Sequence, residues 1–74
     1  MSSLSDARRG ALALRAIVVS GRAGLRSAHG DAQRRAIQDR IHTLLAELRQ
    51  FVIRDGGNEA ILDAIEAERR LVYE

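Results

Sequence analysis

Residues 31–54 read DAQRRAIQDRIHTLLAELRQFVIR, a proline-free run with Gly30 before it and Gly56 and Gly57 after it. Its large apolar residues Ile37, Ile41, Leu44, Leu48 and Phe51 are spaced four, three, four, three. That period puts them on one face of an α-helix, the seam along which a helix packs lengthwise on other helices. Arg34, Arg35, Gln38, Asp39, Glu47 and Gln50 fall off the stripe. Gly30 closes the preceding segment, and Asp31 is placed to cap the new helix. A helix of this length spans about 35 Å at ~1.5 Å per residue.

Downstream, Arg54-Asp55-Gly56-Gly57-Asn58 stops one helix and starts another. A glycine here can take the left-handed position past a helix end. Asn58 is a helix-capping residue, and Glu59 puts a negative charge in the first turn, where it is favoured. The predicted third helix, 58–73, carries Ile61, Leu62, Ile65, Leu71 and Val72 on its apolar face. So short a link makes helices two and three antiparallel neighbours, a helical hairpin. The third helix, roughly 23 Å long, covers only part of the second. Ile37 and Ile41 then need cover from the N-terminal segment or from another chain.

Upstream, Leu4, Ala7, Ala11, Leu14, Val18, Gly21, Leu25 and Ala28 repeat at alternating spacings of three and four. Ser3 and Asp6 have the spacing of a capping box. The stripe is built of small residues, which let another backbone come close. Gly21 and Gly24 each cost about 1 kcal/mol inside a helix. The first helix is therefore expected over about 4–21, with 22–30 a loop or a short helical turn. Ile17-Val18-Val19 would suit a strand by their β-branching, but a single strand has nothing to pair with. The expected fold is all-α: one domain over residues 1–74, with helices at about 4–21, 31–54 and 58–73. An N-terminal helix joins the helix-two/helix-three hairpin, and oligomerisation completes a helical bundle.

Size carries the oligomer expectation. A compact chain of 74 residues gains roughly 110 kcal/mol from apolar burial at ~25 cal/mol per Å². Ordering every residue costs about 110 kcal/mol at ~1.5 kcal/mol each. The two terms cancel, and with no cysteine no disulfide can tip the balance. Phe51 and Tyr73 are the only aromatic anchors. The remaining stabiliser is a partner, a second copy or a larger protein. Leu14, Val18, Ile37, Ile41, Leu44, Leu48 and Phe51 are the expected partner interface.

No residue set assembles into a catalytic site. Serines sit at helix ends and in the glycine-rich turn, and Thr43 and His42 point about 100° apart on their helix. Asp39 and His42 share one helix edge, but two ligands do not hold a metal. Gly21-Arg22-Ala23-Gly24 matches the GXXG loop of KH nucleic-acid domains, yet the sheet such domains need has no strands here. The P-loop lysine and its glycine spacing are missing. The expectation is no catalytic residue, no metal, no cofactor and no small-molecule substrate.

Every basic side chain is arginine, and the net charge is +2. Arg22, Arg26, Arg34 and Arg35 make residues 22–40 the one locally basic region. Guanidinium groups there can meet nucleic-acid phosphates or an acidic protein surface, or simply be quenched by Asp31 and Asp39. The longest apolar stretch, Ala11 to Val19, is interrupted by Arg15 and is too short to span a bilayer. Met1-Ser2-Ser3-Leu4-Ser5-Asp6 has no charged secretory n-region, so a cytoplasmic location without membrane contact is expected.

A long helix, a glycine turn and a shorter helix resemble in outline the small helical-hairpin co-chaperones of bacterial secretion systems. That likeness of shape, together with the seam, implies a non-enzymatic protein–protein interaction module: an adaptor, co-chaperone or inhibitor-like protein. The alternative expectation is a nucleic-acid-binding accessory or regulator using the arginines around 22–40.

Overall fold

A computed structural model describes the chain from residue 3 to residue 74, with side chains from residue 8 onward. It is all-α: α1 spans Ser3–Ser27, α2 Gly30–Arg54 and α3 Glu59–Leu71. Among the described residues no strand forms, and Ala16 to Ser20 are helical. The capping box expected at Ser3 and Asp6, and the stripe positions Leu4 and Ala7, rest on side chains outside those described.

The three helices make a rod with extents of 45 × 16 × 15 Å. Gly10 lies against Val52, Gly21 against Ile41 and Gly24 against Ile37, so numbers rise along α1 as they fall along α2. Contacts between α2 and α3 run from Arg49–Glu66 to Gln38–Val72 in the same inverse order. Between α1 and α3 the numbers rise together, from Gly10–Ile61 to Arg22–Glu68.

The helical reach of α1 corrects the expected end at Gly21: residues 22–27 continue the helix, and only Ala28 and His29 separate it from α2. Tertiary packing explains why two glycines do not break it. A Cβ on Gly21 would sit 2.6 Å from Ile41 Cδ1 and 2.8 Å from its Cγ1. Gly10 is nearly as tight, 3.2 Å from Ile61 Cδ1 and 3.4 Å from Val52 Cγ2. These positions are bare so that α1 can lie flush on α2 and α3, and the burial gained offsets the helix-propensity cost.

The core is Ile41, Leu45, Leu48, Val52, Ile61, Ile65 and Val72, with Leu45 and Ile65 fully enclosed. Ala13, Leu14, Ile17, Leu25, Ile37 and Leu62 pack around it, half-buried. The buried line of α2 is thus Gln38, Ile41, Leu45, Leu48 and Val52. It shares Ile41 and Leu48 with the expected stripe but replaces Leu44 by Leu45 and Phe51 by Val52. Contact from two sides is the reason. α1 takes the flank bearing Ile37 and α3 takes the flank bearing Gln38 and Arg49, and the midline between them is what closes.

Helix ends follow local chemistry. Gly56 and Gly57 take φ of 107° and 66°, and Gly57 N–H donates to the Val52 carbonyl at 2.9 Å. Asn58 Oδ1 accepts from Ile61 N–H at 3.1 Å, the expected cap of α3. At α2 the cap position is His29 rather than Asp31, which lies within the first turn. No side chain of His29 caps; Gln33 reaches back to accept from the His29 backbone N–H instead.

Candidate interaction surface

α1 is apolar on two faces, with exposed arginines between them. Its inner side carries Gly10, Leu14, Ile17, Gly21 and Gly24 against the other helices. Its outer side carries Leu12, Ala16, Val19 and Ala23, spaced four, three, four, and all four are exposed. Leu12 and Val19 are 61% and 58% exposed. α3 repeats the pattern: Ala60, Ala64, Ala67 and Leu71, again spaced four, three, four, are on its outer side, with Leu71 51% exposed.

Between these two helices runs an open groove of about 640 Å³. Its floor is Ala11, Leu14 and Val18 from α1 and Ala60, Ala64 and Ala67 from α3. Arg15 and Arg22 stand on the α1 wall, and Arg22 Nη2 reaches Glu68 Oε1 at 3.5 Å. From residue 8 to residue 27, α1 carries Arg8, Arg9, Arg15, Arg22 and Arg26 and no acid. α3 carries Glu59, Asp63, Glu66 and Glu68 against Arg69 and Arg70. A second groove, about 450 Å³, lies between α1 and α2, lined by Ala16, Ile17, Ser20, Gly24, Ile37 and Leu44 among others.

The expected interface residues divide. Ile41 and Leu48 are enclosed by the chain's own helices. Leu14 and Val18 sit half-buried in the α1/α3 groove, while Ile37 and Leu44 line the α1/α2 groove. Phe51 stays 44% exposed on α2. Leu12, Val19, Ala60, Ala64, Ala67 and the exposed side of Leu71 lie outside the expected set. Their signal was a second helical stripe, of mostly small residues, on helices that already had one.

The four arginines gather at the end of the rod where α1 passes into α2, and all are exposed. Two already face carboxylates: Arg22 with Glu68, and Arg35 Nε with Asp39 Oδ1 at 3.4 Å. Asp39 and His42 do not form a ligand pair. Asp39 is taken by Arg35 and by the Tyr73 hydroxyl, which donates to Oδ1 at 2.7 Å. Arg69 Nη2 points at His42 Nε2, 3.4 Å away. Among the described residues no three His, Cys, Asp or Glu side chains gather as metal ligands, and no helix is long and apolar enough to cross a membrane.

The α2/α3 edge carries polar contacts. Gln38, buried in the seam, donates from Nε2 to the Val72 carbonyl at 3.0 Å. Glu66 Oε1 accepts from Arg69 Nη1 at 2.9 Å and pairs with Arg49 Nε at 3.4 Å. The Arg35 guanidinium lies 5.1 Å from the centroid of the Tyr73 ring. These contacts fasten the C-terminal turn to α2.

Tyr73 has a pKa raised above its ordinary 10.0. The hydrogen bond to Asp39 is the main cause, followed by desolvation and by the Asp39 charge, with the Arg35 charge opposing. A phenol that holds its proton more tightly when folded stabilises the fold fully below its unfolded pKa. That contribution disappears as pH rises through the raised value. Tyr73→Phe is therefore expected to lower the urea midpoint near neutral pH, and the gap to wild type to close at a pH above the raised value. Paired urea melts at the two pH values check this; a gap that persists in alkali contradicts it.

Comparison with protein-family models, with curated proteins and with solved structures finds no match for this chain.

Proposed function

We propose that the chain is a non-enzymatic protein–protein interaction module that acts by packing amphipathic helices against another polypeptide, a second copy or a larger protein. In this reading α2 and α3 form an antiparallel hairpin with α1 along it, and an added helical surface completes a bundle. The single observation that carries the reading is α1, apolar on its inner and its outer face, with Leu12 and Val19 left 61% and 58% exposed. The surface area agrees. The chain exposes 5422 Å², against roughly 4,500 Å² for a compact monomer of its mass. Its radius of gyration is 13.1 Å, against roughly 11 Å for a compact domain of this length.

A photo-cross-linking amino acid at position 19 tests the reading. In cells that make the protein, irradiation is expected to give polypeptide adducts. No polypeptide adduct contradicts it.

A second reading, nucleic-acid binding, is favoured by one observation: Arg22, Arg26, Arg34 and Arg35 are all exposed around the passage from α1 to α2. It requires retention on heparin or DNA that falls steeply with salt and is lost in Arg34→Glu/Arg35→Glu. Absence of retention removes it.

A further inference from the structure

We propose that the groove between α1 and α2 docks an acidic amphipathic helix of another polypeptide, its apolar stripe on the groove floor and its carboxylates on Arg9, Arg26 and Arg40 at the rim. This rests on the reading of the chain as an interaction module and names the chemistry of the partner and the surface that takes it.

Shape calls for a helix. In the open groove of about 450 Å³, Ile37 and Leu44 of α2 lie across from Ala16, Ser20 and Gly24 of α1. Leu12 stands four residues before Ala16 and Phe51 seven after Leu44, so each prolongs its edge of the groove. They are 61% and 44% exposed. The small side chains of the α1 wall let a third backbone settle between the two helices, and the α2 wall offers it apolar contact at helical spacing. The α1/α2 contact extends at least from Gly10 on Val52 to Gly24 on Ile37. At ~1.5 Å per residue that is roughly 21 Å, the length of a helix of about four turns. A bilayer would rest on the crests of α1 and α2 and leave the floor empty. A nucleic-acid backbone would bring phosphates to Ile37 and Leu44, which cannot pair with them.

Charge selects the kind of helix. Residues 8–27 hold five arginines and no acid, whereas residues 28–74 hold seven arginines against nine acids. The chain's positive charge is thus concentrated on α1. Arg40 lines the groove directly. Arg9 lies seven residues before Ala16, on the same edge of α1, and Arg26 three after Ala23. All three are exposed, and among the described residues none of them enters an ion pair. Glu47, seven residues after Arg40, is the one acid on that row of α2. An occupant with carboxylates on both flanks of its apolar stripe gives the three guanidinium groups their partners. This chain's own α3 is not that helix. Its Glu66 is held by Arg49 and Arg69 and its Glu68 by Arg22, so the acidic helix belongs to a different polypeptide. Docking here leaves the α1/α3 groove open.

The test is fluorescence anisotropy of two labelled synthetic helices of four turns, titrated with the full chain. Both carry leucine at alternating third and fourth positions; one has glutamate on both flanks of that stripe, its twin lysine. The glutamate helix is expected to bind at least about tenfold more tightly than the lysine twin. Arg9→Glu/Arg40→Glu is expected to weaken the glutamate helix about tenfold and to strengthen the twin, because two rim charges change sign. Both positions are exposed, so wild-type helicity by circular dichroism is expected. Ser20→Trp, which plugs the groove and leaves its charges alone, is expected to abolish binding. Arg70→Glu, exposed on α3 and outside the groove, is expected to change nothing. Equal binding of the twins, no binding of the glutamate helix, or an Arg70→Glu effect as large as that of the double variant overturns the proposal. So does displacement of the glutamate helix by phosphatidylglycerol vesicles or duplex DNA. Twins that bind alike or not at all, with polypeptide adducts still forming from position 19, remove this inference and leave the module reading standing; loss of those adducts removes the module reading.

Discussion

Leu45→Ala is expected to lower unfolding stability by about 2–5 kcal/mol, the range for truncating a fully enclosed leucine. Leu45 has no exposed surface and sits midway along the buried line of α2, among Ile41, Leu48 and Ile65. For a domain this small, with stability of order 0.05–0.15 kcal/mol per residue, such a loss is a large part of the total. Leu44→Ala, one position away and half-buried, is expected to cost about 1 kcal/mol, since its side chain already keeps solvent contact in the α1/α2 groove. Urea melts followed by circular dichroism compare the two. Equal losses, or a larger loss at Leu44, would place α2 in the other register.

Gly21→Ala is expected to destabilise the chain although alanine is the better helix former. Replacing an interior helical glycine by alanine ordinarily gains about 1 kcal/mol. Here the new Cβ would lie 2.8 Å from Ile41 Cγ1, near the base of a stiff, buried side chain, and 2.6 Å from its Cδ1. Overpacking of this kind costs about 1–3 kcal/mol, so the steric term wins. Two companions expose the cause. Gly24→Ala meets only ordinary contact, 3.5 Å from Ile37 Cγ2, and is expected to stabilise by up to about 1 kcal/mol. In an Ile41→Ala background, Gly21→Ala is expected to change sign and become stabilising. A double-mutant cycle measures the coupling between positions 21 and 41. Parallel gains at Gly21 and Gly24 would show that α1 does not lie flush on α2.

These two sites mark where local reading succeeds and where it stops. The break between α2 and α3 is legible because its chemistry is local: two glycines at positive φ, then an asparagine whose side chain bonds Ile61 N–H three residues on. The helical character of 31–54 is legible from its period. Which row of α2 becomes the midline is not, because Ile41 and Leu48 belong to both candidate rows, and the choice depends on where α1 and α3 sit. Gln38 hides the answer further: a polar residue occupies a seam position and is satisfied there by the Val72 carbonyl, a partner 34 residues away.

The continuity of α1 is hidden for a related reason. A glycine in isolation reads as a helix stop, and only the nearness of Ile41 and Ile37 shows that Gly21 and Gly24 are contact positions. With α1 unbroken to Ser27, the exposed row of Leu12, Ala16 and Val19 extends to Ala23. The expected interface of Ile41 and Leu48 is spent inside the chain. Phe51 of that set stays exposed on α2, and the outer face of α1 adds Leu12 and Val19.

Sedimentation equilibrium of the unmodified chain from nanomolar to high micromolar concentration tests the central claim most directly. Reversible association, with the mass rising from 8.2 kDa toward twice that value, is the predicted result. A cooperatively folded species that stays at 8.2 kDa throughout, with no polypeptide adduct from position 19, would contradict it, because one copy would then tolerate its uncovered apolar rows unaided.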